Sequence, residues 1–194
     1  MYSLIIDSAT KVLYIALVCD NKIVKEVYMK GEHDHAKNIV YLVDEALKTA
    51  KIEVDQLSKI IVGIGPGSYT GVRMGVTVSK MMASFKNVPL YKISTLKLIA
   101  SGNKGIVLSM VDARHNQSFA AIIDTNKDRY ILDEGMYDNN TLLESNYEFV
   151  SNESEFIVDP FYVISNSELV SNPDLLVPNY LRDTEAERNL KQWL

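Results

Sequence analysis

The chain has one cysteine, Cys19, one tryptophan, three histidines, five prolines and nine glycines in 194 residues. A single cysteine cannot form an intrachain disulfide, and Cys19 lies in a run that reads as a strand. A buried thiol in a reducing compartment is the expectation. No apolar run approaches the roughly 18 residues that span a bilayer, and the first strand reaches an acid at Asp7 after a few apolar residues. The sequence therefore reads as cytoplasmic, with no signal or anchor and no membrane association. Hydrophobic residues make up 47% of the chain, which argues against extended disorder. Net charge is −5 overall, but residues 1–100 carry 13 Lys+Arg against 9 Asp+Glu, whereas residues 101–194 carry 7 against 16. The second half, at −9, is poorly suited to phosphate-backbone contact by itself.

The scarce glycines are concentrated. Five of the nine fall at 63, 65, 67, 71 and 75, inside IIVGIGPGSYTGVRMGVTVS. An apolar run, a glycine loop and an amphipathic segment predict a strand, a tight turn and a helix start. Free N–H groups at such a helix start suit an anion or a closely approaching partner. The loop is not a Walker A sequence, because Gly71 is followed by Val72 and Arg73 rather than Lys and Ser or Thr. Nor is it a dinucleotide fingerprint: Gly65-Pro66-Gly67 has the wrong spacing to Gly71, and no acid follows at the ribose-binding distance.

Before the loop, residues 2–6, 12–18 and 23–29 are rich in β-branched and aromatic residues and are separated by short polar turns, predicting an antiparallel meander. Asp7 and Ser8 stand at the first turn, where backbone N–H groups could hold an anion, although a lone Asp there also serves as a turn former. Ile39, Val43, Ala46, Leu47 and Ala50 have helical spacing and predict a four-turn helix. His33 and His35 form an incomplete H-x-H metal set.

After the loop, a helix over 72–86 carries two apolar stripes. Met74, Val78, Met81 and Phe85 form one, and Val72, Val76 and Ala83 lie nearly opposite. A helix covering a sheet needs only one stripe. Either this helix is sandwiched inside its own chain, or one stripe, with its adaptable methionines, docks another protein. Arg73 would then be a charged rim or an anion contact. The run 89–93 completes a β–α–β unit, 96–100 a short helix capped by Ser94 and Thr95, and 101–105 is the clearest boundary. Strand, Asp112-containing turn, strand, turn and strand then repeat over 106–137. Residues 139–174 read as irregular, 178–181 as extended, and the end as a polar helix.

These residues carry a family resemblance. Gly65-Pro66-Gly67-Ser68-Tyr69-Thr70-Gly71-Val72-Arg73-Met74-Gly75 resembles the signature GPGSFTGVRIG of the TsaB, or YeaZ, family of bacterial tRNA threonylcarbamoyladenosine biosynthesis proteins. Leu4–Ser8 is similar to the family's opening I-D-T strand end, and His35 with the following helix to its H-S-x-x-L-L-P segment. Residues 93–100 resemble V-S-S-L-E-A-L-A, 112–114 the D-A-R turn and 178–182 P-x-Y-L-R. Ala36 and Tyr41 replace a family serine and proline, and the second half is short.

The resemblance implies an α/β fold of two related actin-like ATPase, or ribonuclease H-like, halves: a mixed sheet flanked by helices, with the second half reduced. They would be residues 1–100, holding the partner-binding helices, and 101–194, whose last helix would pack back on the first half. It also implies a subunit without catalytic residues. That subunit pairs with the catalytic paralogue TsaD, recruits the ATPase TsaE, forms a homodimer when TsaD is absent and meets tRNA only through the complex. TsaD carries a metal-binding H-x-x-x-H; here position four after His35 is Ile39, so no intrinsic metal or cofactor is expected. ATP or ADP and metal would belong to the assembled complex. Partner contacts fall to His35, Ile39, Val43, Met74, Val78, Met81 and Phe85, and Asp7 and Ser8 become possible nucleotide neighbours. The competing readings are an ATPase or phosphotransferase with its own site at Asp7 and the 65–71 loop, and a metallopeptidase using His33 and His35.

Overall fold

Two sheets stack with helices between and outside them in this computed structural model, which describes residues 1–31 and 35–181, the side chains of 35–37 excepted. The first three strands, β1 (Tyr2–Asp7), β2 (Val12–Cys19) and β3 (Lys22–Lys30), form the expected antiparallel meander. Helix α1 (His35–Ala50) leads through a 3-10 turn at Val54–Gln56 to β4 (Leu57–Gly63), which pairs parallel to β1. Helix α2 (Tyr69–Lys86) then crosses to β5 (Leu90–Ile93), parallel to β4. Helix α3 (Thr95–Ala100), capped by Ser94, closes the first half.

The second half restarts the plan. Strands β6 (Ile106–Arg114), β7 (Gln117–Asp124) and β8 (Arg129–Asp138) are antiparallel, α4 (Asn139–Leu143) follows, and β9 (Phe149–Asn152) pairs parallel to β6 as β4 does to β1. The duplication stops there. Helix α5 (Pro160–Asn166) has only seven residues, and the chain then returns to the first sheet as β10 (Glu168–Leu169), antiparallel to β5. A 3-10 turn at Pro173–Leu175 packs on α2, and Leu176 enters the first core. The stretch that read as irregular thus contains two helices and two strands, and residues 178–181 lie outside the strands, with Leu181 at a φ of 47°. The predicted final helix lies outside the described residues.

Alternation explains why the central strands read as continuous apolar runs. On β1, Leu4 and Ile6 face the core beneath α1 and α2, whereas Ile5 faces the core shared with the second sheet. On β2, Leu13, Ile15 and Leu17 take the first side and Tyr14 and Ala16 the second. A sheet buried on both faces selects apolar residues at every position. The shared core adds Leu96, Leu98 and Ile99 of α3 and Val107, Val111, Phe119 and Ala121 of the second sheet.

Two local expectations are corrected. Asp112-Ala113-Arg114 is the end of β6, and the turn falls at His115 and Asn116, with φ of 55° and 59°. Asp112 is exposed and accepts from the Arg114 N–H, so it does not reproduce the buried setting of Asp7. Cys19 is half-buried at the end of β2 rather than enclosed.

Candidate functional site

The glycine loop is shaped by contact with the β1–β2 turn. Ser68 caps α2, its Oγ accepting from the Gly71 N–H at 3.3 Å, so the helix starts at Tyr69, three residues before the predicted position. Ser68 N–H donates to the Ala9 carbonyl at 2.7 Å, and Ser8 Oγ donates to the Gly71 carbonyl at 2.7 Å. A Cβ at Gly63 would collide with the Asp7 carboxylate, at Gly67 with the Ala9 carbonyl and at Gly71 with the Ser8 carbonyl; at Gly75 it would lie 2.5 Å from Ser8 Oγ. These glycines permit a close approach of loop and helix to the turn. The carbonyl side of the turn is thus covered by the protein's own loop and helix start.

Asp7 and Ser8, expected near a nucleotide, are each 1% exposed. Asp7 Oδ2 accepts from Thr95 Oγ1 at 2.6 Å and Oδ1 from the Ala9 N–H at 2.8 Å. Thr95 is also tied to the loop: its Oγ1 accepts from the Gly65 N–H at 3.1 Å, and its N–H donates to the Gly65 carbonyl at 2.9 Å. Burial pushes the Asp7 carboxyl up to about 6, and the two hydrogen bonds oppose that rise. Among the described residues, no three or more His, Cys, Asp and Glu side chains are grouped to hold a metal. His33, and the side chain of His35, lie outside those residues.

The two stripes of α2 have different surroundings. Val72, Val76 and Ala83, with Gly71, Gly75 and Ser79, form the buried face. Met74 and Val78 are half-buried, Met81 is 52% exposed and Phe85 is 77% exposed. Small residues on the inner face let the helix approach the sheet closely; Val78 of the bulkier stripe still packs against the first core, and Met81 and Phe85 are left outside. On the flank, the Lys80 ammonium donates to the Asp174 and Leu176 carbonyls at 2.8 and 3.1 Å. Asn179 N–H donates to the Ile64 carbonyl at 2.7 Å, so the returning segment holds both loop and helix.

Ile39 and Val43 require correction as partner contacts. They are 1% and 4% exposed and belong to the chain's own core. Among the described side chains of α1, Val40 and Tyr41 are the large exposed apolar ones; helical spacing alone marked Ile39 and Val43 because their positions are more regular. Gly65 and Pro66 are buried, whereas Tyr69, Thr70 and Arg73 are exposed. The Arg73 guanidinium donates to Tyr69 Oη at 2.6 Å, and the Tyr69 ring stacks on Tyr180 at 5.1 Å between centroids. No spacing rule links Tyr69 to Tyr180, which meet only because the chain returns.

Comparison with known proteins places this geometry. Residues 27–153 match the family model described as TsaD: tRNA N6-adenosine threonylcarbamoyltransferase. The tRNA threonylcarbamoyladenosine biosynthesis protein TsaB of Bacillus subtilis is 30% identical over 146 residues, 74% of this chain and 63% of that protein. The Escherichia coli protein of the same name is 31% identical over 126 residues, 62% of this chain and 54% of that protein. The chain thus matches between about half and just under two thirds of the length of these relatives. The solved structure titled YeaZ from Pseudomonas aeruginosa superposes with a TM-score of 0.74 over 93% of this chain and 99% of that one, at 18% identity, a likeness of fold. The chain belongs to the TsaD family, and the curated relatives it matches here are named TsaB.

Proposed function

We propose that this protein is a non-catalytic subunit in the biosynthesis of tRNA threonylcarbamoyladenosine, the modified adenosine beside the anticodon. It binds and stabilises the catalytic paralogue TsaD and helps recruit the ATPase TsaE, and two copies pair when TsaD is absent. Catalytic metal and ATP or ADP belong to the assembled complex, in the cytoplasm, and tRNA is met through it. The observation that carries this reading is the outer side of α2: Met81 and Phe85 stand exposed on the helix that also carries half-buried Met74, while its other face, with part of Val78, is packed. Large exposed apolar side chains grouped on one rigid helix suit a protein partner.

Replacing both Met81 and Phe85 by Glu tests it. The variant should keep its far-ultraviolet circular dichroism, lose co-purification with TsaD and lower tRNA modification in the reconstituted system. Undiminished co-purification would place the docking surface elsewhere. The alternative of an intrinsic nucleotide site at Asp7 meets the observation that both carboxylate oxygens are already engaged and enclosed. Calorimetry with Mg-ATP on the isolated protein separates the two, because binding and turnover without partners would favour the alternative.

A further inference from the structure

On the side of the first sheet that faces the second half, a cleft of about 360 Å³ opens between β2–β3 and residues 154–158. Its floor follows the strand register: Val12 opposite Lys30, Tyr14 opposite Tyr28 and Ala16 opposite Glu26. Val12, Tyr28, Phe156, Ile157 and Val158 supply an apolar and aromatic lining. The Tyr28 and Phe156 rings meet edge to face at 6.0 Å.

Glu26 stands at the mouth with its carboxylate already oriented. Oε1 accepts from Tyr14 Oη at 2.9 Å and from Tyr28 Oη at 3.2 Å. Tyr28 Oη in turn accepts from the Val158 N–H at 2.9 Å, fixing the ring to the opposite wall. Burial, and then the negative charge of Glu26, hold the Tyr14 hydroxyl well above the usual tyrosine range. Tyr28, lifted mainly by burial, reaches about 12, so both remain protonated donors. Glu155 adds a second acid to the lining. Among the described residues of the lining the one lysine, Lys30, is four residues along β3 from Glu26, about 13 Å in strand rise. The Glu26 end therefore combines a held anion with aromatic faces, a combination that attracts an organic cation by charge and by cation–π contact.

We propose that this cleft binds a primary ammonium group carried on an aliphatic stem, with the ammonium at Glu26 beside the Tyr28 ring and the stem against Phe156 and Ile157. The same chemistry is offered by a free alkylamine and by a lysine side chain of a polypeptide. Its position between the halves also means that an occupant touches both.

Titration calorimetry on the full chain tests this with pentylammonium and with 1-pentanol, which has the same stem without the charge. Pentylammonium should bind at least tenfold more tightly. Glu26→Gln, which keeps an acceptor for the tyrosine hydroxyls, should abolish that preference while leaving pentanol binding unchanged. Retained pentanol binding also reports that the variant is folded. Phe156→Ala should weaken both ligands. Equal affinity of the two for the wild type, no binding of either, or a preference that survives Glu26→Gln would overturn the proposal. Within it, Nα-acetyl-lysine N-methylamide distinguishes the sources: binding within tenfold of pentylammonium supports a polypeptide lysine, and weaker binding a free amine.

Discussion

Asp7→Asn removes a buried charge with almost no change of shape, and its effect on stability should depend strongly on pH. The Asp7 carboxyl titrates near its ordinary 3.8 in the unfolded chain and at about 6 in the folded one. The folded state therefore binds this proton more tightly than the unfolded state. The carboxylate is destabilising once ionised: stability is lost as pH rises from about 4 through 6, and the loss is complete above that. A difference of about 2 pH units at 1.36 kcal/mol each gives a penalty of about 3 kcal/mol at pH 7.5, falling to about 1 kcal/mol at pH 4.5. Asparagine is neutral throughout and avoids this penalty. Its carbonyl can keep the Ala9 N–H, but its NH2 faces Thr95 Oγ1 where a carboxylate oxygen had accepted a hydrogen bond, a mismatch costing about 1 kcal/mol at any pH. The expected net result is a variant about 2 kcal/mol more stable at pH 7.5 and nearly neutral at pH 4.5. Urea unfolding of both proteins at the two pH values measures it. A stability difference that is the same at both pH values would refute the assignment of a raised carboxyl, whatever its sign.

The close approach at Gly63 predicts that Gly63→Ala, by forcing Asp7 from its place beside Thr95, destabilises the fold by about 3 kcal/mol or more, read as a lower urea midpoint. In the reverse direction, Ser79 is fully buried on α2 and its hydroxyl has no hydrogen-bond partner among the described residues. Ser79→Ala should therefore stabilise the protein by about 1 kcal/mol in thermal or urea unfolding, whereas a loss of stability would reveal a hydrogen bond to that hydroxyl. Tyr28→Phe strips the acceptor from the Val158 N–H and should cost about 1–2 kcal/mol. Hydrogen exchange at Val158 should accelerate in that variant, and unchanged protection would show that the bridge between the halves does not depend on the hydroxyl.

Sequence alone determined the local elements of the first half and the family. The meander was legible because its three β-branched runs are separated by turn residues, and α1 because its apolar positions recur at helical spacing. The eleven-residue signature was legible because glycine can rarely be replaced where two backbones touch, as at Gly67 and Gly71. Tertiary structure decided which way things face. Periodicity marked two stripes on α2, but only packing assigned Val72, Val76 and Ala83 to the inside, where Gly71 and Gly75 meet the β1–β2 turn. The same packing turned Ile39 and Val43 into core and left Val40 and Tyr41 exposed. It enclosed Asp7 by bringing Thr95 to it from 88 residues away. It also returned residues 168–181 to β5, Lys80 and Tyr69, contacts made across chain separations too long for any local pattern to encode. Short-range conformational preference specifies an element, whereas its exposed face depends on what the rest of the chain places against it.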